Sequence, residues 1–516
     1  MSEYGFWKLA SENPGRIALV TPEGGTVTAG ELAAQSNRLV HAMRALGVAR
    51  GDAIAAMFPN GREMIELYLA AFQSGIYLTP INQHLTAAEV GYILKDCGAK
   101  VFFTHERYGA AARTAADEAG LDASRRVASG YVAGFVPYSD FTAAAADTAP
   151  EGRSAGQVMN YTSGTTGRPK GVRRRLLDFD PDIVGSMFAM FLAMFGIEPL
   201  GENVHLVGSP LYHTAVLMFT ASSLHYGHTV VVMDKWTPES ALEVMQRWRV
   251  TTSHMVPTQF HRLLALPEDV KARFDPSSLR HMIHAAAPCP VDVKKRMLQW
   301  WGPVVYEYYA ASEGGGTLVT PNEWIKKPGT VGRAWAGSEI RILDDDGKAC
   351  ATGSPGTVYM ALGTADFEYH GDKDKTAANR RDGFFTVGDI GYLDEDGYLF
   401  LCDRKIDMII AGGVNIYPTE IENVLLTHPK VGDAAVFGIP HEDWGEEVKA
   451  AIEPAAGIAA GDALAEELAA FCRQSLAKYK CPRSFDFVSE MPRDPNGKLF
   501  KRKLRDPYWK DRDRAI

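Results

Sequence analysis

The densest group of residues that could do chemistry is the segment YTSGTTGRPKGV, from Tyr161 to Val172. Four hydroxyl side chains, three glycines and two cations lie within ten consecutive positions of this segment. Glycines let a backbone turn sharply and bring its N–H groups close to a ligand, while hydroxyl and cationic groups donate hydrogen bonds to phosphate oxygens. The segment therefore predicts a phosphate-binding loop, with donors at Thr162, Ser163, Gly164, Thr165, Thr166, Gly167 and Lys170.

Two other interpretations of this segment compete with that prediction. It does not match the P-loop of kinase-type enzymes, because Lys170 is followed by Gly171 and not by Ser or Thr. A flexible linker rich in Ser, Thr and Gly would have a similar composition. The cations Arg168 and Lys170, which lie between the glycines, favour phosphate binding over a linker.

The segment resembles the signature loop of the adenylate-forming superfamily, which includes acyl-CoA synthetases, aryl-CoA ligases, luciferases and peptide-synthetase adenylation domains. The resemblance continues over essentially the whole chain. It implies an acyl-CoA synthetase, in which ATP and a carboxylic acid give an acyl-adenylate and pyrophosphate. The thiol of coenzyme A would then attack to give acyl-CoA and AMP. The implied cofactors are ATP, Mg²⁺ and coenzyme A.

The motif YYAASEGGG, which begins at Tyr308, resembles the family's Y-G-x-T-E element. The resemblance implies that Tyr309 stacks on adenine, that Ser312 meets a phosphate and that Glu313 holds Mg²⁺. Two positions depart from the family pattern, because Ala310 replaces the glycine and Ser312 replaces the threonine. Serine keeps the hydroxyl group, so the implied contact with phosphate survives.

Three shorter motifs carry further residues that the resemblance places at the site. In TVGDIGYLDEDGYL, Asp389 would accept hydrogen bonds from both ribose hydroxyls, a task that suits a carboxylate. In HAAAPCP, the small residues Ala286, Ala287 and Pro288 would lie against adenine and the acyl group. In PLYHTAV, His213 would pack near the substrate carboxylate, where amino-acid-activating relatives have an aspartate. Without the resemblance, a turn aspartate, a tight turn and an ordinary histidine would explain these motifs as well.

The resemblance also assigns roles near the end of the chain. Arg404 would reach ATP or AMP, and Gly412 and Gly413 would lie beside the pantetheine channel. The family's hinge residue, usually Asp or Lys, falls on Ile406 in this sequence. Lys498 matches the catalytic lysine, whose ammonium group would stabilise charge as the carboxylate attacks phosphorus. The implied catalytic residues are Lys498, Glu313 and His213, and the implied Mg²⁺ ligands are Thr166 and Glu313.

A framework of helices and strands must position these residues, and the first hundred residues predict its type. Thr28 and Glu31 form a capping box that opens a helix, and Thr86 with Glu89 opens another. Short apolar strands such as IAAMF (Ile54–Phe58) lie between the helices. This alternation predicts an α/β fold in which helices wrap a parallel sheet.

The sequence changes in character near residue 400, where a turn, a charged run and a double glycine follow one another closely. We expect a large N-terminal adenylation domain of helix-wrapped sheets, residues 1–403, which binds ATP and the acid. A small mobile α+β domain, residues 404–516, would carry Lys498. The charged run Asp403–Asp407 would act as the hinge between them.

Composition narrows the class of protein. The 54 Lys and Arg against 63 Asp and Glu give a net charge of −9, which argues against a protein that coats nucleic acid. Six cysteines without a C-x-x-C pair argue against a disulfide scaffold or a structural zinc site. The most apolar run, Met187–Ile197, has 11 residues, fewer than the roughly 20 that cross a bilayer, and the N-terminus lacks a secretory pattern. We expect a cytoplasmic enzyme; peripheral contact with a membrane and a homodimer stay open.

The acid substrate is the least determined part of the prediction. The candidate pocket residues in or near the motifs are apolar or small, and this favours an apolar acid. These residues are Val216, Leu217, Ala285, Ala286, Tyr308 and Gly314 to Gly316. A medium- or long-chain fatty acid is the first choice, and an aryl or sterol-derived acid is the alternative. An adenylation enzyme that loads a carrier protein is a further alternative, although fusion to its own carrier is disfavoured because only 18 residues follow Lys498. A luciferase-like monooxygenase would consume oxygen, and a non-catalytic acyl or nucleotide binder would lack Lys498 or Glu313.

Two further features allow more than one interpretation. Arg173, Arg174 and Arg175 could meet an anionic group of coenzyme A or lipid, although a solvated helix face is the commoner explanation. The run Met187–Ile197 could line an acyl tunnel. Ordinary core is favoured for this run, because methionine commonly fills irregular gaps in protein interiors.

Overall fold

The computed structural model describes residues 4–162, 170–310, 315–362, 368–369, 380–493 and 499–510. The chain divides into two compact units. Unit 1 consists of Met1–His254, Pro267–Met282 and Asp366–Ala378, and unit 2 consists of Met255–Leu266, Ile283–Ala365 and Asn379–Ile516.

Helices and strands alternate along most of the chain. The helices are α1 (Phe6–Glu12), α2 (Ala29–Ala45), α3 (Arg62–Gln73), α4 (Ala87–Asp96), α5 (Gly109–Glu118), α6 (Tyr138–Ala143), α7 (Pro181–Ala193), α8 (Thr214–His225), α9 (Pro238–Arg247), α10 (Pro257–Leu264), α11 (Glu268–Arg273), α12 (Val291–Trp301), α13 (Pro321–Lys326), α14 (Pro418–Leu425), α15 (Asp462–Ser475) and α16 (Lys501–Arg505).

The strands are short, as expected for such alternation. They are β1 (Ile17–Val20), β2 (Thr26–Thr28), β3 (Ala53–Met57), β4 (Tyr77–Pro80), β5 (Ala99–His105), β6 (Arg126–Ser129), β7 (Val136–Pro137), β8 (Gln157–Val158), β9 (Asn160–Thr162), β10 (Lys170–Arg173), β11 (Val204–Val207), β12 (Thr229–Val232), β13 (Thr252–Met255), β14 (His281–His284), β15 (Val305–Ala310), β16 (Gly316–Val319), β17 (Arg333–Ala334), β18 (Ser338–Leu343), β19 (Gly356–Leu362), β20 (Glu368–Tyr369), β21 (Arg380–Arg381), β22 (Phe384–Phe385), β23 (Asp389–Leu393), β24 (Leu399–Arg404), β25 (Ile409–Ala411), β26 (Val414–Ile416), β27 (Val431–His441), β28 (Gly445–Pro454) and β29 (Ser484–Phe487).

Both predicted capping boxes are present in unit 1. The Thr28 hydroxyl accepts the Glu31 N–H, and the Glu31 carboxylate accepts the Thr28 N–H at 2.8 Å, just before α2 begins. Thr86 and Glu89 make the same pair of hydrogen bonds at the start of α4. Each box satisfies backbone N–H groups that a helix start leaves without partners. The two predicted helix starts are confirmed.

Parallel sheets form the framework of unit 1. One sheet has the strand order β7-β6-β5-β3-β4-β8, and every one of its pairings is parallel. In the other, β13, β11, β12 and β1 pair in parallel, and β2 pairs with β1 as an antiparallel hairpin. All five residues of β3 are buried, which is typical of a parallel strand covered on both faces.

Unit 2 is built mainly from antiparallel strands. Strand β16 pairs antiparallel with both β15 and β17, and a second sheet has the order β21-β22-β19-β23-β24, with β18 also pairing with β19. Near the C-terminus, the order β26-β25-β28-β27 is antiparallel, and β29 joins β28 in parallel. The α14 and α15 helices cover this last sheet with buried side chains such as Ile421, Leu425 and Leu468. The mixed architecture confirms the predicted fold class.

Helix α7 differs from the expectation for the run Met187–Ile197. Ile183, Met187 and Met190 are 40%, 54% and 64% exposed, and their spacing of four and three places them on one helix face. On the other side of the helix, Leu192 is buried. The prediction that this run is ordinary core is therefore wrong for one of its faces. Across the ranges that the structure describes, no helix combines the length and apolar character that spanning a bilayer requires.

Candidate functional site

A β-hairpin in unit 1 frames the predicted phosphate loop. Strands β9 and β10 pair antiparallel, with Thr162 opposite Lys170 and Tyr161 opposite Gly171. The backbone at the two ends of the loop is therefore fixed at the hairpin. The loop residues Ser163, Gly164, Thr165, Thr166 and Gly167, and the side chains of Thr162 and Lys170, lie outside the described part of the structure.

Close packing explains one of the glycines at the base of this hairpin. A Cβ atom on Gly171 would lie 2.5 Å from Met159 Cε and 3.0 Å from the ring of Tyr161. The Tyr161 ring is itself held in place, because its hydroxyl donates to the Asp96 carboxylate at 2.5 Å. A side chain at position 171 would therefore force Met159 and Tyr161 to shift, so packing favours glycine here.

In unit 2, three residues from separate predicted motifs come together. The Tyr309 hydroxyl donates a hydrogen bond to Asp389 Oδ2 at 2.6 Å, across 80 residues of sequence. Arg404 Nε lies 3.5 Å from Asp389 Oδ1. Asp389 is 9% exposed, whereas the Arg404 side chain is 48% exposed. A buried carboxylate therefore lies between a phenol and an accessible guanidinium.

Local backbone geometry explains how these three side chains are held. Asp389 begins β23 directly opposite Arg404, the last residue of β24, so the ion pair is a cross-strand pair. Gly388, just before it, has a φ of +84°, a left-handed conformation that favours glycine. Next to Tyr309, β16 begins at Gly316, where a Cβ atom would lie 2.3 Å from the Tyr309 carbonyl oxygen. Gly388 thus permits the turn before Asp389, and Gly316 permits the close approach of the backbone to Tyr309.

The small-residue segment that follows β14 carries backbone strain. Ala286 has a φ of +72°, which for a residue with a side chain costs about 1 kcal/mol or more. Ala286 and Pro288 are exposed and Ala287 is partly exposed, so all three are accessible to a ligand. Their predicted contact with adenine and the acyl group stays a prediction.

A buried ion pair anchors the strand that carries Tyr309. Lys294 Nζ on α12 lies 2.6 Å from Glu307 Oε2 on β15, and His284 Nε2 lies 3.4 Å from the same oxygen. Burial raises the pKa of Glu307 and lowers that of Lys294, and the attraction between them opposes both shifts. Because Glu307 is two residues before Tyr309, the pair fixes this part of β15 against α12. The sequence analysis missed it, since a lysine and a glutamate 13 positions apart carry no signal of burial.

His213 lies in unit 1, at the N-cap of α8. Its ring centroid is 4.2 Å from that of Tyr212. The chain before it is fixed by Asn60, whose Nδ2 donates to the Ser209 carbonyl at 2.9 Å and whose Oδ1 accepts the Leu211 N–H at 2.8 Å. The structure thus gives His213 a defined position, while its role near a substrate carboxylate stays a prediction.

Gly412 and Gly413 form the two-residue turn of the hairpin between β25 and β26. Their φ values are +59° and +78°, the pair of left-handed residues that a type I′ turn requires. The Gly412 N–H donates to the Trp444 carbonyl at 2.9 Å. The Trp444 side chain is exposed, and the Arg483 guanidinium lies 3.6 Å over its ring. The His441 ring also stacks on Trp444, with the ring centroids 5.0 Å apart, and this cluster beside the double glycine was not identified from the sequence.

Several predicted residues lie outside the described residues. These are Ser312, Glu313 and Lys498, together with the phosphate-loop residues named above. The predicted Mg²⁺ ligands, Thr166 and Glu313, both fall in this group. Within the described ranges, no cluster of three His, Cys, Asp or Glu side chains could hold a metal ion.

The triple-arginine run is not part of a helix. Arg173 is the last residue of β10, and Arg174 and Arg175 follow it in a loop, all three exposed. The Arg173 guanidinium lies 4.4 Å over the Tyr77 ring and donates to the Gly51 carbonyl at 3.3 Å. The interpretation of this run as a solvated helix face is therefore wrong.

Comparison with known proteins gives full-length matches. Residues 6–363 match the model of the AMP-binding enzyme family, and residues 420–498 match that of the AMP-binding enzyme C-terminal domain. The fatty acid–[acyl-carrier-protein] ligase ScoC of Streptomyces coeruleorubidus is 32% identical over 96% of this chain and 94% of its own length. The feruloyl-CoA synthase of an Amycolatopsis species is 32% identical over 97% of this chain and 98% of its own length. The o-succinylbenzoate CoA synthetase of Bacillus subtilis, solved with an acyl-adenylate intermediate, is 28% identical, covers 97% of each chain and has a TM-score of 0.80.

The chain belongs to the AMP-binding enzyme family. This confirms the predicted superfamily and enzyme class, an ATP-dependent ligase that forms an acyl-adenylate and uses coenzyme A. The comparisons do not single out one acid.

Proposed function

We propose that this protein is an acyl-CoA synthetase for an apolar carboxylic acid, with a medium- or long-chain fatty acid as the first candidate. ATP and the acid would give an acyl-adenylate and pyrophosphate, and the thiol of coenzyme A would then displace AMP. The observation that carries this proposal is the contact set of Tyr309, Asp389 and Arg404 in unit 2.

These three residues offer complementary groups for an adenosine phosphate. The Tyr309 ring suits stacking on a base, and each Asp389 oxygen has lone pairs to spare for the ribose hydroxyls. The exposed Arg404 guanidinium suits a phosphate. Because the Tyr309 hydroxyl donates a hydrogen bond to Asp389, these two side chains would hold the base and the ribose in a fixed relation. A fixed arrangement of this kind saves the entropy of ordering the site when the nucleoside binds.

We assign the chemistry at phosphorus to residues of three sequence motifs. Lys170 and the hydroxyls of the phosphate loop would hold phosphate oxygens. Thr166 and Glu313 would hold Mg²⁺, which offsets phosphate charge when bound. Lys498 would stabilise the charge that develops between the carboxylate and the α-phosphorus. We also propose that residues 404–516 move relative to residues 1–403 between the two half-reactions, so that Lys498 serves only the first.

The choice of an apolar acid rests on the apolar or small residues that lie in or near the sequence motifs. Val216 and Leu217 are each 2% exposed in unit 1, and Ala285 and Tyr308 are each 7% exposed in unit 2. None of these four side chains carries a charge at neutral pH, and only Tyr308 has a polar group, so an ion pair with a second carboxylate or an amine of a polar acid is not available from them. The fatty acid ligase among the relatives supports a fatty acid, and the feruloyl-CoA synthase supports an aryl acid as the second candidate.

A pyrophosphate-release screen across fatty, aryl and sterol-derived acids tests this function. Each acid is incubated with ATP and Mg²⁺, alone, with coenzyme A, and with an acyl carrier protein. We expect AMP and pyrophosphate in equal amounts, fastest with a fatty acid, and acyl-CoA only when coenzyme A is present. A faster reaction with aryl acids would select the second candidate. Formation of ADP and orthophosphate, or of no AMP with any acid, would contradict the proposal.

The Asp389→Asn variant tests the contact set directly. An amide loses the charge that faces Arg404 and offers fewer acceptors to ribose, so we expect kcat/KM for ATP to fall roughly 10- to 100-fold, the size of a lost charged hydrogen bond. Asp396→Asn is the matched control, because Asp396 is 58% exposed and pairs with Lys327 away from Tyr309. Steady-state kinetics with ATP varied at a fixed acid concentration measures the effect. Unchanged ATP kinetics in Asp389→Asn would remove the basis of the proposed nucleotide site.

A further inference from the structure

Unit 1 contains a cleft of about 300 Å³ whose walls come from α1, α2, the start of α7 and the chain at 149–153. Most of its lining is apolar and includes the Trp7 ring and the methyl groups of Ala10, Ala33 and Ala149. None of its lining residues belongs to a motif named in the sequence analysis. Ligand sites in proteins begin at about this volume, so the cleft suits a small molecule.

Side-chain hydrogen bonds hold one wall of the cleft in place. From α2, Asn37 Nδ2 donates to the Asp147 carbonyl at 2.8 Å, and Arg44 Nη1 donates to the Glu151 carbonyl at 2.9 Å. The stretch of chain that carries Ala149 is therefore fastened to α2 on both sides of that residue. A cleft with fixed walls loses little conformational entropy when a ligand binds.

A carboxylate holds the opposite wall. Asp182 Oδ1, at the start of α7, accepts the N–H groups of Trp7 and Lys8 at 3.0 and 3.3 Å. Its Oδ2 accepts from Arg153 Nη2 at 3.2 Å, so donors of the protein already occupy both oxygens. The described residues that line the cleft include two cations, Lys8 and Arg153, and this one carboxylate. The lining therefore has an excess of one positive charge.

The lining also has hydrogen-bond donors without acceptors. Trp7 Nε1 and Arg153 Nε are buried, and neither has a hydrogen-bond partner among the described residues. The two groups are neighbours, because Arg153 Cζ lies 4.9 Å from the centre of the Trp7 ring. A buried N–H group without an acceptor costs free energy. An oxygen atom in the cleft could accept from either group after a small rotation of its side chain.

We infer that this cleft binds a small monocarboxylate with a short apolar body. Its oxygens would accept hydrogen bonds from Arg153, Trp7 and the ammonium group of Lys8, while its apolar part packs against the alanines. Lys8 is available for this contact because its side chain is 38% exposed and lies 3.9 Å from Glu12 Oε1, its surface partner. A cation would meet the excess positive charge, and a doubly charged phosphate would lie against mostly apolar walls.

Fluorine NMR of protein labelled with 5-fluorotryptophan tests this site without ATP and without any need for activity. The chain has nine tryptophans, and the signal that is missing from Trp7→Phe identifies Trp7. We expect this signal to shift saturably with sodium hexanoate or sodium benzoate and to stay in place with hexylammonium chloride. The control is the Trp248 signal, identified with Trp248→Phe, since Trp248 is also in unit 1 and has Arg247 over its ring at 5.5 Å.

Two variants at accessible positions separate size from charge. Ala149→Leu should weaken hexanoate binding roughly tenfold or more, because the added carbons take up room that the ligand needs. Ala149 is exposed, so the change should not disturb folding. Ala144→Leu is the matched control, an exposed alanine that does not line the cleft. Lys8→Gln should weaken binding about two- to fivefold, the size of a contact with a solvated cation.

A Trp7 signal that does not move with either carboxylate, or that moves equally with hexylammonium, would overturn the inference, since water alone would then satisfy the donors. A shift that persists in Ala149→Leu would also overturn it, because the carboxylate would bind elsewhere. The cleft shares no residue with the nucleotide contact set of unit 2. The inference therefore stands or fails independently of the proposed function, whose failure would be the absence of AMP formation.

Discussion

The two units bury ionisable side chains in different chemical forms. Among the described residues of unit 1, four histidines are almost completely buried: His205, His225, His228 and His254. Burial lowers the pKa of His205 and His225 to about 3 and that of His228 and His254 to about 4. At neutral pH, each therefore contributes a neutral ring. His225, for example, accepts the Phe6 N–H at 3.2 Å.

In unit 2, a lysine and a glutamate are buried as a pair of opposite charges, next to the buried His284. The Lys294 side chain is 0% exposed and that of Glu307 is 8% exposed. Unit 1 has a related pair, Arg62 and Glu66, but only the glutamate is buried, because the Arg62 side chain is 42% exposed. Neutral rings need no charged partner, whereas a buried charge is tolerated only while its partner is present. The two units should therefore respond differently to mutation and to acid.

The largest expected effect is that of removing one member of the unit 2 pair. Lys294→Met leaves Glu307 buried without its cation, and such losses cost about 3–5 kcal/mol. In a unit of this size, that corresponds to a fall of roughly 10 °C in the melting temperature. Thermal unfolding followed by near-ultraviolet circular dichroism measures it.

The double variant Lys294→Met, Glu307→Gln is the control for this effect. Replacing both charges removes the unpaired carboxylate, so the melting temperature should recover most of the decrease seen in Lys294→Met. The ring of Trp324 lies 4.9 Å from Lys294 Nζ. If the melting temperature of the double variant is no higher than that of Lys294→Met, the loss comes from packing around Trp324. The proposed difference between the two units would then be wrong.

Acid should weaken unit 1 through its histidines. Their pKa values in the folded state lie below the value of about 6.5 in an unfolded chain, so the unfolded state binds more protons between about pH 6.5 and 4. The free energy of unfolding must therefore fall as the pH falls through this window. The fall is about 1.4 kcal/mol per pH unit for each histidine that is neutral in the folded state and fully charged in the unfolded state. Melting temperatures measured from pH 7.5 to 4.5 should show this slope.

The His205→Asn variant sharpens the acid prediction. His205 Nδ1 lies 3.0 Å from Thr252 Oγ1, a contact that an asparagine side chain can imitate, and the variant has no group that takes up a proton in this window. Its melting temperature should fall less steeply with acid than that of the wild type. The exposed His84, changed to Asn, serves as the control and should leave the slope unchanged. Equal slopes in all three proteins would show that other groups govern acid unfolding.

Local patterns were predictable from the sequence, and contacts between distant residues were not. The capping boxes at Thr28 and Thr86 involve residues three positions apart, so their sequence signal is complete. The motifs also named Tyr309 and Asp389 separately, but the hydrogen bond that joins them spans 80 residues and depends on how the strands pack. The apolar run on α7 could not be divided into buried and exposed faces, because periodicity does not tell which face a neighbouring element covers.

The Arg62→Met variant, in unit 1, is expected to have the smallest effect, and it is the direct counterpart of Lys294→Met. Glu66 would keep the hydrogen bond that the Tyr138 hydroxyl donates at 2.8 Å. Water could replace the Arg62 contact, since that side chain already reaches the surface. We expect a loss of about 1 kcal/mol, which corresponds to a fall of roughly 2–4 °C in melting temperature. If Arg62→Met lowers the melting temperature as much as Lys294→Met does, a half-exposed cation stabilises the protein as much as a buried one. The exposure of the cation would then not determine the loss of stability.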